Sequence, residues 1–212
     1  MDFQALKYIY VPAENTGAAT LLLLHGTGGN EHDLLSIAKE FGGGFNVLSL
    51  RGNVSENGMP RFFKRLGMGV FDEKDLTFRT HEMVNFLKEL AEKEGFDADK
   101  IVALGYSNGA NIAGSTLVLY PDFLAGAILY RPMQPFKDIS PDFKNTSNTP
   151  VFMSNGSIDP TVNQADTEQY VDILKNAGFD VSNHNLPTGH QLTKNDLLLS
   201  VDWFKKHFFK IS

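Results

Sequence analysis

The pentapeptide GYSNG at residues 105–109 places a serine, Ser107, between two glycines, each two positions away. It follows the apolar run IVAL at 101–104, which is typical of a buried strand. In a G-x-S-x-G turn the serine lies on a strained corner between strand and helix, where it can act as a nucleophile. The flanking residues must lack bulk so that the helix can pack back. Because Gly and Ser are also common in ordinary turns, the surrounding elements must decide between the two interpretations.

Other polar residues also come directly after predicted strands. A glycine-rich loop at 26–29, Asp159 in the segment GSIDP, and His190 in the segment PTGHQ each follow such a strand. A serine hydroxyl is a poor nucleophile at neutral pH and needs a neighbouring base. His190 is the predicted base, and Asp159 is predicted to orient it and to stabilise its charged form. The chain order Ser, Asp, His is the order found in α/β-hydrolases.

Each assignment has a competitor within the chain. Of the six histidines, His190 is favoured because it lies between a strand end and a helix start, with a glycine before it. His25 is instead predicted to brace the glycine-rich loop. Asp159 competes with Asp166, but Asp166 falls within a predicted helix. No group of histidines and carboxylates has metal-ligand spacing, so neither a catalytic metal nor another cofactor is predicted.

The elements that must position these residues alternate between strand and helix. Strands are predicted at 7–11, 20–25, 45–50, 101–106, 123–130, 150–155 and 180–186. Helices are predicted at 31–40, around 83–90, at 108–120, around 170–177 and from Thr193 onward, with Phe208 as the last residue of its buried face. This alternation predicts an α/β fold with a mostly parallel central sheet and helices on both faces. Ligands in such folds bind at the carboxyl ends of the strands.

Composition narrows the class of protein. With 212 residues the chain is predicted to form a single domain spanning 1–212. A net charge of −6 argues against nucleic-acid binding, and the absence of cysteine excludes disulfides, zinc thiolate sites and a cysteine nucleophile. The N-terminal residues do not have the pattern of a signal peptide, and the leucine run at 21–24 is too short to span a bilayer. We therefore expect a cytoplasmic protein without a membrane or nucleic-acid partner.

Four segments together are more specific than any one of them: LLLLHGTGGNEHDL at 21–34, GYSNGANIAG at 105–114, NGSIDP at 155–160 and GHQLT at 189–193. This set resembles the phospholipase/carboxylesterase branch of the α/β-hydrolases, which includes the acyl-protein thioesterases. It is most similar to bacterial carboxylesterases associated with hydroquinone resistance, which share the HGTGG and GYSNGAN forms. The resemblance extends over nearly the whole chain.

The resemblance implies a minimal α/β-hydrolase fold and a catalytic triad of Ser107, Asp159 and His190. It also implies an oxyanion hole formed by the backbone N–H groups of Thr27 and Asn108. The expected activity is that of a serine carboxylesterase acting on small to medium acyl esters, as a monomer or homodimer. The alternatives are an acyl-protein thioesterase or lysophospholipase, which needs a long apolar channel, and a ligand sensor that binds without turnover.

The segment 51–79 is too long for an ordinary connection and resembles the variable pocket-covering loop of this family. Its large apolar residues are predicted to face the substrate, although a satellite core beneath the loop is the alternative. Its basic residues could attract an acidic substrate, but charges on loops are usually only solvated, so Arg61, Lys64 and Arg65 receive no role. The predicted substrate-binding residues are Met59, Phe62 and Phe63, with Met68 and Phe71 in the same loop, and Met133 and Ile158 elsewhere.

Overall fold

The structure is a computed structural model that describes residues 2–140 and 142–209. Its strands are β1 (Lys7–Val11), β2 (Thr20–Leu24), β3 (Asn46–Arg51), β4 (Val54–Glu56), β5 (Met59–Arg61), β6 (Arg65–Gly67), β7 (Val70–Phe71), β8 (Ile101–Tyr106), β9 (Gly126–Tyr130), β10 (Pro150–Gly156) and β11 (Asp180–Leu186). Its α-helices are α1 (Leu35–Glu40), α2 (Glu73–Glu94), α3 (Asn108–Leu119), α4 (Gln164–Asn176) and α5 (Lys194–Phe208).

Seven strands form one sheet in the order β1-β3-β2-β8-β9-β10-β11. Only the edge strand β1 runs antiparallel to its neighbour, and the remaining pairs are parallel. The predicted fold class, a mostly parallel sheet with helices, is confirmed. Every parallel strand ends at the same edge of the sheet, so the polar residues that follow β2, β8, β10 and β11 are brought together there.

Helices cover both faces of the sheet because the central strands are apolar on both sides. In β2, Leu22 and Leu24 pack into a core with α2, α3 and α4, whereas Leu21 and Leu23 pack into a second core with α1 and α5. Continuous apolar runs of this kind are expected in strands that are buried on both faces. No helix among the described residues combines the length and apolar composition that crossing a bilayer requires.

Two predicted helix starts were wrong, and the strand predicted at 123–130 begins only at Gly126. The first helix begins at Leu35 and not at 31, because the Asn30 side chain accepts a hydrogen bond from the N–H of His32 and closes a turn instead. The second helix begins at Glu73, within the predicted covering loop. Its N-cap is Asp72, whose carboxylate accepts from the N–H of Asp75. The connection between β3 and α2 therefore ends at residue 72.

The segment after β3 folds into two small antiparallel hairpins, β4–β5 and β6–β7. Phe62 and Phe63 connect them and are only 2% and 0% exposed. Both rings join the core on the α2 side of the sheet, with Phe62 against His25 and Phe63 against Phe71. The prediction that these two phenylalanines contact substrate was wrong: their apolar rings are buried beneath the hairpins, as in the satellite-core alternative.

We expect Phe63→Ala to lower the free energy of unfolding by about 3–5 kcal/mol, because it removes a fully buried ring and leaves a cavity. Urea unfolding followed by circular dichroism measures this loss. The matched control is Met68→Ala in the same segment, where the side chain is 73% exposed and the change should stay within about 0.5 kcal/mol. Unchanged stability of Phe63→Ala with an altered acyl-chain preference would contradict the core assignment.

Candidate active site

Ser107 lies on the corner between β8 and α3. It is the residue before the first turn of the helix, and its φ of +52° is in the left-handed region that non-glycine residues rarely adopt. The N–H of Ser107 donates to the carbonyl of Tyr130 in β9, which fixes the corner against the sheet. The strained geometry is that of a nucleophile elbow, in which the serine hydroxyl projects above the sheet edge.

The two flanking glycines are explained by how closely α3 packs against the sheet. A Cβ atom added at Gly109 would lie 1.9 Å from the carbonyl oxygen of Leu24 in β2. A Cβ atom at Gly105 would lie 2.5 Å from the backbone of Gly109. Neither distance is compatible with a side chain, so both glycines are required by the approach of helix to sheet. The G-x-S-x-G pattern is thus a packing requirement of this corner.

The structure brings the three predicted catalytic residues together. The Oγ of Ser107 lies 2.9 Å from Nε2 of His190, and Nδ1 of His190 lies 2.7 Å from Oδ2 of Asp159. Because the carboxylate can only accept, Nδ1 carries the proton and Nε2 is free to accept from the serine hydroxyl. The arrangement can therefore move a proton from Ser107 to His190 while Asp159 stabilises the imidazolium.

Thr161 supports this pair and was not anticipated from the sequence. Its N–H and its hydroxyl both donate to Oδ1 of Asp159, at 2.8 and 2.6 Å, and the same hydroxyl oxygen lies 2.8 Å from Nδ1 of His190. Burial acts to raise the pKa of Asp159, but the hydrogen bonds from Thr161 and His190 hold it below its usual value. The carboxylate is therefore charged at neutral pH and available to the histidine.

The two residues that competed for the triad positions, Asp166 and His25, lie elsewhere in the structure. Asp166 lies in α4, as predicted, and not beside His190. His25 donates from Nδ1 to the carbonyl of Gly26 at 2.6 Å and accepts at Nε2 from the N–H of Gly52 at 3.1 Å. Burial lowers the pKa of His25, which favours this neutral form. His25 thus links the glycine-rich loop to the segment after β3, in agreement with a bracing role.

Thr27 and Asn108, whose backbone N–H groups are predicted to form the oxyanion hole, line the same cleft as Ser107. Asn108 is the first residue of α3, so its N–H has no acceptor within the helix, and the positive end of the helix dipole points into the cleft. Thr27 lies in the loop after β2, and Gly28 beside it is held by a hydrogen bond from its N–H to the carbonyl of Pro60. Assignment of Thr27 and Asn108 as oxyanion donors is a proposal that this placement supports.

Arg131 holds the loop that carries His190. The residue follows β9, is fully buried, and donates from Nε to the carbonyl of Gly189 and from Nη2 to the carbonyl of Gln191. Its guanidinium also forms a bidentate pair with Asp196, at 2.8 and 3.0 Å. The backbone carbonyls before and after His190 are therefore both held by the guanidinium group of Arg131. This contact joins residues far apart in sequence, so no local pattern could reveal it.

We expect Arg131→Met to lower kcat by about 100-fold or more, with a smaller change in KM, because the loop around the base loses its support. Removing the arginine alone also leaves Asp196 buried and unpaired, at a cost of about 3–5 kcal/mol. The double variant Arg131→Met/Asp196→Asn removes both charges, so it should regain stability without regaining kcat. A stable double variant with full kcat would show that the loop does not depend on Arg131.

The cleft above Ser107 has a volume of about 220 Å³, which is small for a ligand site. Of the predicted apolar residues, Met133, Met68 and Phe71 line it. Met59 lies outside its lining, and Ile158 is 73% exposed and also outside. The prediction that Ile158 binds substrate is not supported by this placement, because its side chain points to solvent from the loop that presents Asp159.

A second groove of about 290 Å³ adjoins the cleft and shares part of its wall, namely Gly69, Phe71 and Met133. Its remaining lining combines apolar residues such as Phe136 with charged ones such as Glu73. A fatty acyl chain needs a continuous apolar channel, and this groove is interrupted by charge.

Several known proteins resemble this chain in sequence and in fold. The family model described as Phospholipase/Carboxylesterase matches residues 8–207. The chain is 45% identical over 201 residues to the hydrolase MhqD of Bacillus subtilis, covering 95% of this chain and 98% of that protein. The structure of the Bacillus cereus carboxylesterase is 46% identical, covers 96% of this chain and 95% of its own, and superposes with a TM-score of 0.92. Acyl-protein thioesterase 1 of Debaryomyces hansenii is 29% identical over 117 residues, covering 53% of this chain and 50% of that protein.

Proposed function

This chain belongs to the phospholipase/carboxylesterase family, and on that premise we propose that it hydrolyses small to medium acyl esters through an acyl-enzyme on Ser107. Its serine hydrolase and carboxylesterase character follows from the family and from its carboxylesterase relatives. The observation that carries the proposal is the hydrogen-bonded chain from Ser107 through His190 to Asp159, which opens on a cleft of about 220 Å³.

Acylation begins when Nε2 of His190 takes the hydroxyl proton of Ser107 and the serine oxygen attacks the ester carbonyl carbon. The carbonyl oxygen becomes an oxyanion, which accepts hydrogen bonds from the N–H groups of Thr27 and Asn108. The tetrahedral intermediate then collapses, the bond to the alcohol oxygen breaks, and His190 returns its proton to that oxygen. The products of this half-reaction are the free alcohol and an acyl ester of Ser107.

Deacylation repeats the same steps with water in place of the serine. His190 takes a proton from a water molecule, and the resulting hydroxide equivalent attacks the acyl carbon. Collapse of the second intermediate breaks the bond to Oγ of Ser107, which regains its proton from His190. Throughout, Asp159 stays charged and stabilises the imidazolium, and the hydrogen bonds from Thr161 favour that charged form.

Kinetics with p-nitrophenyl esters of increasing acyl length test the proposal. We expect an initial burst that releases about one mole of p-nitrophenol per mole of enzyme. The value of kcat/KM should be highest for short acyl chains, and EDTA should not reduce the activity. A maximum at long chains would favour the thioesterase or lysophospholipase alternative, and binding without turnover would favour a sensor. Loss of hydrolysis in EDTA that a divalent metal restores would overturn the triad mechanism. A cytoplasmic location and a monomeric or dimeric state remain predictions.

A further inference from the structure

The side chains lining the cleft above Ser107 have an unusual charge balance. Among the residues that the structure describes, three arginines (Arg61, Arg65 and Arg131) contribute to the lining, and no aspartate or glutamate does. The chain as a whole carries a net charge of −6, so this concentration of positive charge is local. Arg131 is neutralised by Asp196, as described above. The charge that faces a substrate therefore comes from Arg61 and Arg65.

Arg61 is only 3% exposed. It donates from Nε to the carbonyl of Phe63 at 3.1 Å, and from Nη1 to Oγ1 of Thr27 at 2.6 Å and to Glu56 at 3.2 Å. Its Nη2 donates to none of the residues that the structure describes. Burial lowers the pKa of Arg61, and the neighbouring charge of Arg65 lowers it further. A buried cation with a free donor beside the cleft is stabilised when an anion binds.

Arg65 supplies the second positive charge. Its Nε donates to Glu56 at 2.9 Å and its Nη1 to the sulfur of Met68 at 3.1 Å. Glu56 is therefore shared between two guanidinium groups, and a single carboxylate compensates only one of them. Lys64, the basic residue between them in sequence, pairs with Asp75 and lies outside the cleft. One positive charge beside Ser107 is left without a protein counter-ion among the described residues.

We propose that the cleft selects esters that carry a carboxylate near the scissile bond, namely half-esters of short dicarboxylic acids, with Arg61 and Arg65 binding the free carboxylate. This inference rests on the proposed esterase function and names its substrate class. Because Arg61 contacts Thr27 in the proposed oxyanion loop, the carboxylate lies only a few bonds from the carbonyl under attack. The small volume of the cleft agrees with an acyl chain of a few carbons.

The experiment compares two substrates of similar shape, ethyl hydrogen succinate and its neutral isostere ethyl 4-methylpentanoate, by ethanol release at pH 7. The measured quantity is the ratio of their kcat/KM values. We expect the wild-type ratio to favour the half-ester by about tenfold or more, as a charge-assisted hydrogen bond provides. Arg65→Gln should lower the ratio by about tenfold, and Arg65→Lys, which keeps the charge, should retain most of it.

Lys64→Gln is the matched control, since it removes the same charge from the same segment outside the cleft and should leave the ratio unchanged. A wild-type preference for the neutral ester, or an equal fall of the ratio in Lys64→Gln and Arg65→Gln, would overturn the carboxylate site. Labelling of Ser107 by a fluorophosphonate distinguishes failure of the carboxylate-site inference from failure of the esterase proposal. Labelling with hydrolysis but no charge preference defeats only this inference, whereas no labelling and no hydrolysis of either ester defeats the esterase proposal as well.

Discussion

Ser107→Ala is expected to lower turnover on the order of 10⁶-fold, as loss of a triad serine does in other serine hydrolases. The reason is that the Ser107 hydroxyl lies 2.9 Å from Nε2 of His190, on a corner that presents it to an ester carbonyl. Residual hydrolysis would come from binding and from the oxyanion donors alone. The measurement is steady-state hydrolysis of a short p-nitrophenyl ester, together with labelling by a fluorescent fluorophosphonate.

The variant should remain folded, because alanine at position 107 removes one oxygen and leaves the backbone corner unchanged. Its thermal midpoint is compared with that of the wild type to check this. Ser36→Ala, an exposed position in α1, is the control and should retain both turnover and labelling. Persistent labelling of Ser107→Ala would place the nucleophile at another residue and remove the basis of the mechanism.

His190→Ala is expected to cost about as much as Ser107→Ala, because serine and histidine act as one unit in the proton transfer. The serine hydroxyl would lose the base that lies 2.9 Å away, and Asp159 is too far along the chain of hydrogen bonds to replace it. The double variant Ser107→Ala/His190→Ala should therefore be hardly slower than either single variant. Comparing kcat/KM among the wild type, the two single variants and the double variant gives the coupling energy between Ser107 and His190.

His32→Ala serves as the control for histidine removal, since His32 is an exposed residue on the turn before α1. It should leave kcat/KM within about twofold of the wild type, as surface substitutions away from a site usually do. Losses at Ser107 and His190 that multiply in the double variant would mean that the two side chains do not share a proton transfer. In that case the 2.9 Å contact would be a packing feature and not a catalytic one.

The sequence was most informative where local signals are strong. The strands around Ser107, Asp159 and His190 are short apolar runs that end in turn residues, so their existence and approximate ends could be predicted from composition. The last helix was predicted from Thr193 with Asp196 three residues on, and the structure has that capping box. Because parallel strands end at one sheet edge, correct strands were enough to bring the three candidate catalytic residues together.

Prediction failed where distant parts of the chain decide the outcome. Phe62 and Phe63 have the composition of a pocket lining, and only the packing of the hairpins over the sheet buries them. Arg131 reaches the His190 loop and Asp196 through contacts that span about sixty residues or more of sequence. The start of α2 at Glu73 was a different kind of error, since the local capping signal of Asp72 was present and was missed.

The Arg131–Asp196 pair also has a consequence for a chain that is synthesised from its N-terminus. The nucleophile and its glycine corner are complete once β8, α3 and β9 have formed, whereas His190 and Asp196 are made 60 and 66 residues after Tyr130, the last residue of β9. The loop that carries the base is fixed only when the first turn of α5 docks against Arg131. We therefore expect a nascent chain to hold the nucleophile corner without its base, and to become active only after α5 has docked against Arg131.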